Sequence, residues 1–513
     1  MYLRARPLEL EAEKFVVVLN KKDADELDVK PLDRVELRIG KENIMAIVNL
    51  SEHFIFEGEI GVYNRFQKEF NIRGGERIKV SRSDPPESIM FIRKKLYGKI
   101  LKPEEIRMII KDVVDQKLSS IELTAFVTSL HNHGMTMGET ASLSTAMAMT
   151  GETLKLGKKQ IYDKHSLGGI PGDKTSMLLV PTVAAAGLTI PKTSSRAITS
   201  PSGTADRMEC LCPVELDIEE IKRVVRKTNA CLVWGGAVDL APADDMFIHV
   251  EYPLSIDPLM LPSVMSKKKA VGANYVVIDI PTGRNAKIKT TAEAEELGNK
   301  FIELGKKIGI KVSCASTFGD EPLGYAVGPA LEAREVLTTS LNGKGPQDLV
   351  DKVIQLSAVL FKFARMRNPE SKARDIIRSG KTKRKLLQII EAQGGDPDIK
   401  PRDIPVGYKK LQFKSRTSGK VWWINNAAVA EIAKEAGAPK HKGAGILLHK
   451  KIGDKVEKGD ILFEIFAEKS YKMRRALKAA EDLDITVVGK KLQMVLEKIP
   501  EKEKQKKYFI LER

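Results

Sequence analysis

The stretch Asp163-Lys164-His165-Ser166-Leu167-Gly168-Gly169-Ile170-Pro171-Gly172-Asp173-Lys174-Thr175-Ser176 gathers the residue types that hold an anion. Glycines at a strand-to-helix turn leave backbone N–H groups open to an oxyanion. Lys164 adds a full positive charge, and Ser166 and Ser176 add hydroxyl donors. The stretch follows a strand candidate and precedes an apolar run, Met177 to Val183. A tight turn that needs glycine only for its backbone is the alternative reading. A nucleotide P-loop is disfavoured. Gly168 to Thr175 nearly spells G-x-x-x-x-G-K-[ST], but Asp173 takes the place of the second glycine, and its charge opposes a triphosphate.

The elements around this stretch predict a multidomain α/β chain. Residues 1 to 84 read as a small β-rich domain, with strands over Lys14–Asn20 and Val35–Ile39 and a short helix near Asp23–Leu27. Asp84-Pro85-Pro86 marks a boundary. Residues 88 to 150 read as a helical domain, with about 240 to 270 packing on it. Pro103 and two acids open one helix, and Ile106, Ile109, Ile110 and Val113 share its face. From 160 to 410, apolar runs such as Tyr275–Ile280 and Ile310–Cys314 alternate with helices such as Thr291–Lys307, which implies a mostly parallel sheet. Residues 411 to 513 return to short strands and read as a C-terminal α+β domain.

Bulk properties narrow the classes. At 513 residues the chain is long enough for three or four domains. Lys and Arg number 85 against 68 Asp and Glu, a formal charge of +17, which suits an anionic partner. The excess is scattered, as in Lys502 to Lys507, and no nucleic-acid motif accompanies it, so no nucleic-acid partner is expected. No apolar run reaches the length of a membrane span, and the N-terminus lacks a signal-peptide pattern, so a cytoplasmic protein with no membrane partner is expected. The 4 cysteines form no CxxC pair, and no metal or cofactor is expected.

Several motifs, in order, carry a resemblance. Lys164-His165-Ser166-x-Gly168-Gly169 with Gly172-Asp173-x-Thr175-Ser176 resembles the phosphate loop of the thymidine and pyrimidine-nucleoside phosphorylases. Ser202-Gly203-Thr204-Ala205-Asp206-Arg207-Met208-Glu209 resembles that family's GGT-x-D-x-x-E segment. Asp320-Glu321-Pro322-Leu323-Gly324 with Gly328 and Ala330-Leu331-Glu332, then Gly343-x-Gly345-Pro346, then Gln393-Gly394-Gly395-Asp396-Pro397, agree as well. The first 84 residues and Ser195-Arg196-Ala197-Ile198-Thr199-Ser200 are similar to the AMP-cleaving branch of this pyrimidine-nucleoside and AMP phosphorylase family.

The resemblance implies phosphorolysis of AMP, and of CMP and UMP, to ribose 1,5-bisphosphate and free base, in nucleotide salvage. The alternatives are a long-type thymidine or uridine phosphorylase and, in another class, a non-catalytic RNA- or nucleotide-binding protein. It assigns inorganic phosphate to Lys164, Ser166, Gly168, Gly169, Ser176 and Thr204. It assigns AMP to Gly169, Ser195, Arg196, Ala197, Ile198, Thr199, Ser200, Thr204, Ser263, Lys267 and Lys287. Asp257 is implied as proton donor to the departing base; a plain turn before Pro258 is the alternative. Arg196 suits the 5′-phosphate because a guanidinium binds phosphate bidentately; a solvated loop charge is its alternative. His165 can position a ligand or serve the loop alone. The arginine that contacts pyrimidine in the nucleoside enzymes falls near Ile248 and Val250, which cannot replace it. A homodimer or larger homo-oligomer is implied. So is a cleft that closes about Gly151–Gly157 and Gly235-Gly236.

Overall fold

A computed structural model describes residues 1–12, 15–157, 160–197 and 200–489. Lys14, Ile198, Thr199 and the lysine-rich stretch Lys502 to Lys507 lie outside the described residues. The multidomain α/β organisation is met. No helix among the described residues is long and apolar enough to cross a membrane.

The N-terminal strands close on themselves. Tyr2–Leu8, Glu59–Tyr63, Val16–Asn20, Glu42–Ser51, Arg34–Ile39 and Arg77–Ser83 form a barrel in that spatial order. Alternation along Arg34–Ile39 sends Val35 and Leu37 inward, onto a core with Val17, Leu19, Phe66 and Val80. Arg34, 6% exposed, leaves this barrel to pair with Glu122 of the next unit and to donate to the Lys117 carbonyl at 3.0 Å.

Helices Ser88–Leu96, Pro103–Val114, Ser120–His133 and Met137–Met149 follow. Ser119 and Thr136 each cap a helix while the Glu three residues later caps them in return. Their apolar faces bury Ile109, Ile110, Phe126 and Val127. The later helix Pro242–Leu254 adds Ala243, Phe247 and Val250 to the same core. Helix Met260–Ala270 packs on helix Met137–Met149 and sends Val264, Met265 and Ala270 into the core that Ala148 shares with the α/β unit. The segment between these two helices therefore bridges the units.

The central sheet is parallel. Lys311–Phe318, Tyr275–Thr282 and Tyr162–Ser166 pair in that order, and Ile190–Ser194 pairs with Ala230–Trp234. A bridge between Ile161 and Thr189 joins the two pieces into one five-stranded series. Val277, Ile278 and Val233 are fully buried, as strands covered by helices on both faces must be. Loops leave the carboxyl ends of three neighbouring strands, Tyr162–Ser166, Ile190–Ser194 and Tyr275–Thr282, on one edge of the sheet.

The C-terminal strands Lys409–Lys414, Ile461–Ala467 and Gly445–Leu448 form an antiparallel sheet that also takes in Ala326–Val327. Helices Asn426–Ala436 and Ser470–Asp482 pack on it through Val429, Ile432 and Ala476.

Candidate active site

The phosphate-loop stretch begins inside a strand. Tyr162–Ser166 carries Lys164 and Ser166 itself, so the strand does not precede the motif but contains its first residues. Pairing sets Lys164 opposite Val277 and Ser166 opposite Asp279. The Lys164 ammonium, 1% exposed, lies 3.3 Å from Asp279 and 3.9 Å from Asp173. Lys352, from helix Gln347–Phe363, lies 3.0 Å from the same Asp279 oxygen. Thr317 Oγ1 donates to the other oxygen at 2.7 Å. A buried charge is tolerated only with partners of this kind.

Asp173 explains its own presence in place of a P-loop glycine. Its carboxylate accepts from Thr175 Oγ1 at 2.6 Å and from Ser166 Oγ at 2.8 Å, tying both ends of the loop. Burial opposes its ionisation, but Lys164, Lys352 and the two hydroxyls outweigh that and hold it well below the usual carboxylate range. Gly168 and Gly169 adopt φ of 74° and 90° between them. A Cβ on Gly169 would lie 2.6 Å from the Lys287 backbone nitrogen, so this loop packs directly on the loop after Tyr275–Thr282. Ser176 is the second residue of helix Thr175–Ala185 and is buried at its N-terminal turn. Burial, then Lys268, Lys192, Lys164 and Lys267, push His165 far below the usual imidazole range, leaving it neutral at neutral pH.

The second hydroxyl-rich loop follows Ile190–Ser194. Ser195 is exposed and its carbonyl accepts from the Ala205 N–H. Asp206 takes the N–H groups of Ala197 at 2.8 Å and Gly203 at 2.9 Å. Gly203 leaves no room for a side chain: a Cβ would stand 2.6 Å from the Ser195 carbonyl oxygen. Ser200 donates to the Ser202 carbonyl at 3.2 Å, and Thr204 opens helix Thr204–Met208. Ile198 and Thr199 lie outside the described residues.

Arg196 is engaged within the protein itself. Its guanidinium donates to Glu209 at 2.9 and 2.6 Å and to Glu215 at 2.8 Å, and it sits 4.8 Å from the Trp234 ring. Three elements thus hold it as an anchor of the loop. Lys442, from the C-terminal unit, pairs with the same Glu209. Charge pairing across long sequence separations has no local signature, which is why residue type alone suggested a free cation.

Arg207, inside a quoted motif but without a role there, joins the two loops. Buried at 4% exposure, it donates to the Asp173 carbonyl at 2.6 Å and to the Ser202 carbonyl at 2.7 Å, and pairs with Glu332 at 2.5 Å. Lys174 donates to the Leu323 and Ala326 carbonyls, each at 2.9 Å. The PLG-like segment is therefore a buttress of the loop that ends at Lys174.

The third side comes from helices Pro242–Leu254 and Met260–Ala270. Asp257 lies on the turn between them and pairs with Lys287 at 2.5 Å, with both side chains roughly two-fifths exposed. This pairing brings Asp257, Lys287 and Gly169 together. Lys267 is engaged by Asp244 at 2.5 Å; burial works against its charge, but Asp244 raises it above the ordinary ammonium range. Ser263 is part-buried on the same helix, four residues before Lys267. A cavity of about 900 Å³ lies elsewhere, beside Gly151, Asp239 and Met246, and holds none of these groups.

Two glycine- and hydroxyl-rich loops at one edge of a parallel sheet thus face a helical unit. The glycosyl transferase family a/b domain matches residues 158–383, and its helical bundle domain matches 90–151. The pyrimidine nucleoside phosphorylase C-terminal domain matches 421–484. Anthranilate phosphoribosyltransferase from Thermus thermophilus shares the fold, with a TM-score of 0.50 at 18% identity over 59% of this chain and 98% of that one. Within this class the chain is 48% identical to the AMP phosphorylase of Thermofilum pendens, over 97% of this chain and 98% of the relative. It is 48% identical to that of Pyrococcus furiosus, over 95% and 98%, and 45% identical to AMP phosphorylase 1 of Archaeoglobus fulgidus, over 97% and 99%. The chain belongs to the AMP phosphorylase family.

Proposed function

We propose that the protein cleaves AMP with inorganic phosphate, giving ribose 1,5-bisphosphate and adenine, and accepts CMP and UMP. The observation that carries this reading is the clamp between the two loops. Arg207 bonds the Asp173 carbonyl of one and the Ser202 carbonyl of the other, so two hydroxyl-bearing anion loops stand side by side. A nucleoside needs one such loop, for the attacking phosphate. A nucleoside monophosphate needs two.

Inorganic phosphate occupies the cradle of Lys164, Ser166, Gly168, Gly169, Ser176 and Thr204. The 5′-phosphate lies against Ser195–Ser200 and Thr204, with Arg196 holding that loop in shape. The attacking oxygen forms a bond to the anomeric carbon as the bond to the base breaks. Fixing the nucleophile in line removes much of the entropy cost. Asp257 delivers a proton to the leaving base, and Ser263 and Lys267 line the base side. Asp257 is ion-paired to Lys287, and a paired carboxylate has no proton to give. Ligand anions that draw Lys287 toward the Gly169 loop leave Asp257 to take up that proton. Related glycosidic chemistry sets the same demands. We place the enzyme in the cytosol, as a homodimer or larger assembly, in nucleotide salvage; the unpaired Cys210, Cys212, Cys231 and Cys314 agree with a reducing compartment.

The test is release of free base from AMP, CMP, UMP, adenosine, uridine or thymidine, with and without phosphate. Phosphate-dependent release from the monophosphates alone is expected. Release mainly from uridine or thymidine overturns the 5′-phosphate assignment and makes this a nucleoside phosphorylase.

A further inference from the structure

The turn that carries Asp257 is held from beneath by a residue with no role so far. Helix Pro242–Leu254 ends at Ser255, whose φ of 53° turns the chain sharply. Glu251, 8% exposed, reaches both sides of Asp257. Its backbone carbonyl accepts from the Ile256 N–H at 3.2 Å, and its side-chain Oε1 accepts from the Leu259 N–H at 3.2 Å. Leu259, fully buried, then starts the next helix by accepting from the Ser263 N–H at 2.8 Å. Glu251 thus brackets Asp257 while its exposed neighbours Tyr252 and Leu254 do not.

We propose that Glu251 is a positioning residue for Asp257: uncharged, its buried carboxyl fixes the Ser255–Leu259 turn, and ionised, it repels Asp257 and loosens that turn. The charged groups around it are Asp257 on the turn, Asp244 on its own helix, Lys287 on the loop after Tyr275–Thr282, and Lys267 on helix Met260–Ala270. Burial, then Asp257, push the Glu251 carboxyl up to about 7, with the Leu259 N–H and Lys287 opposing. The switch therefore falls at neutral pH. Its link to turnover rests on Asp257 acting at the leaving base.

Two measurements on the full-length protein test this. The first is hydrogen exchange across 255–259, without substrate, at pH 6 and pH 8, corrected for intrinsic rates. Loss of protection at pH 8 in the wild type, absent in Glu251→Gln, is expected, because the amide keeps the acceptor and cannot ionise. Equal pH dependence in both proteins overturns the proposal. The second is the pH profile of kcat/KM for AMP phosphorolysis, which reports the free enzyme, where Asp257 is still paired with Lys287. Glu251→Gln should move the alkaline limb upward by about one pH unit or more, with little change in KM for phosphate. An unmoved limb overturns the coupling to Asp257. Should no phosphorolysis occur at all, the proposed reaction fails while the exchange result still decides the role of Glu251 in the turn.

Discussion

Lys164 and Asp257 face the same candidate site from opposite sides, in contrasting surroundings. Lys164 is 1% exposed, sits within a strand and meets Asp279 and Asp173, themselves tied to Lys352, Thr317 and Thr175. Asp257 is 42% exposed, sits on a turn between helices and meets Lys287 alone among ion-pair partners in the described residues. The Lys164 side, where we propose phosphate binds, is held by buried ion pairs and hydrogen bonds before any ligand arrives, as stabilisation of developing charge requires. The Asp257 side, where we propose the base leaves, is a half-open pair in water, where attraction is screened and partners exchange readily. A phosphorylase gains from that division. In the proposed reaction the nucleophile site must be rigid, whereas Asp257 must change protonation and partner within each turnover.

The sharpest way to break the contrast is at its buried end. Asp279→Asn leaves Lys164 and Lys352 without their shared counter-charge, so it should cost about 3–5 kcal/mol of stability as well as most activity. Chemical denaturation and base release check the two effects. Asp257→Asn should lower kcat by roughly 10²–10⁴-fold yet change stability by no more than ~1 kcal/mol. Equal stability losses in the two variants would erase the distinction between the sides.

Arg196→Gln gives a smaller effect. Loss of charge-assisted bonds to Glu209 and Glu215 loosens the Ser195–Ser200 loop, so KM for AMP should rise roughly tenfold, with KM for phosphate nearly unchanged. A parallel rise in both constants would show that the two loops respond as one.

Lys192 sharpens the comparison at its least functional point. It is buried beside Lys268, Asp163 and Lys164, and burial, then Lys268, push its ammonium down to about 7 from the ordinary 10.5. The unfolded chain binds that proton more tightly between those two values, so this group makes stability rise with pH across that window. Lys192→Met removes the slope. It should stabilise by ~1 kcal/mol or more at pH 7, and the gain should shrink toward pH 10. Melting temperatures at the two pH values check this.

Sequence alone determined what depends on near neighbours. Period-two alternation marked Val35–Ile39 within strand Arg34–Ile39, the helical period marked Pro103–Val114, and an amphipathic run marked Thr291–Ile308, which Thr290 caps by accepting from the Glu293 N–H. The glycines of 168–172 marked a loop because positive φ is a local demand. Tertiary structure alone decided which charge meets which. Lys352 reaches Asp279, Arg207 reaches Glu332 and the Asp173 backbone carbonyl, Arg196 turns to Glu209 and Glu215, and Glu251 bonds the turn that carries Asp257. A lysine or arginine reads the same in sequence whether it is free for a ligand or spent on a carboxylate. Only the sheet order, which brings strands from residues 162, 190 and 275 to one edge, and the helices packed against it set those distances.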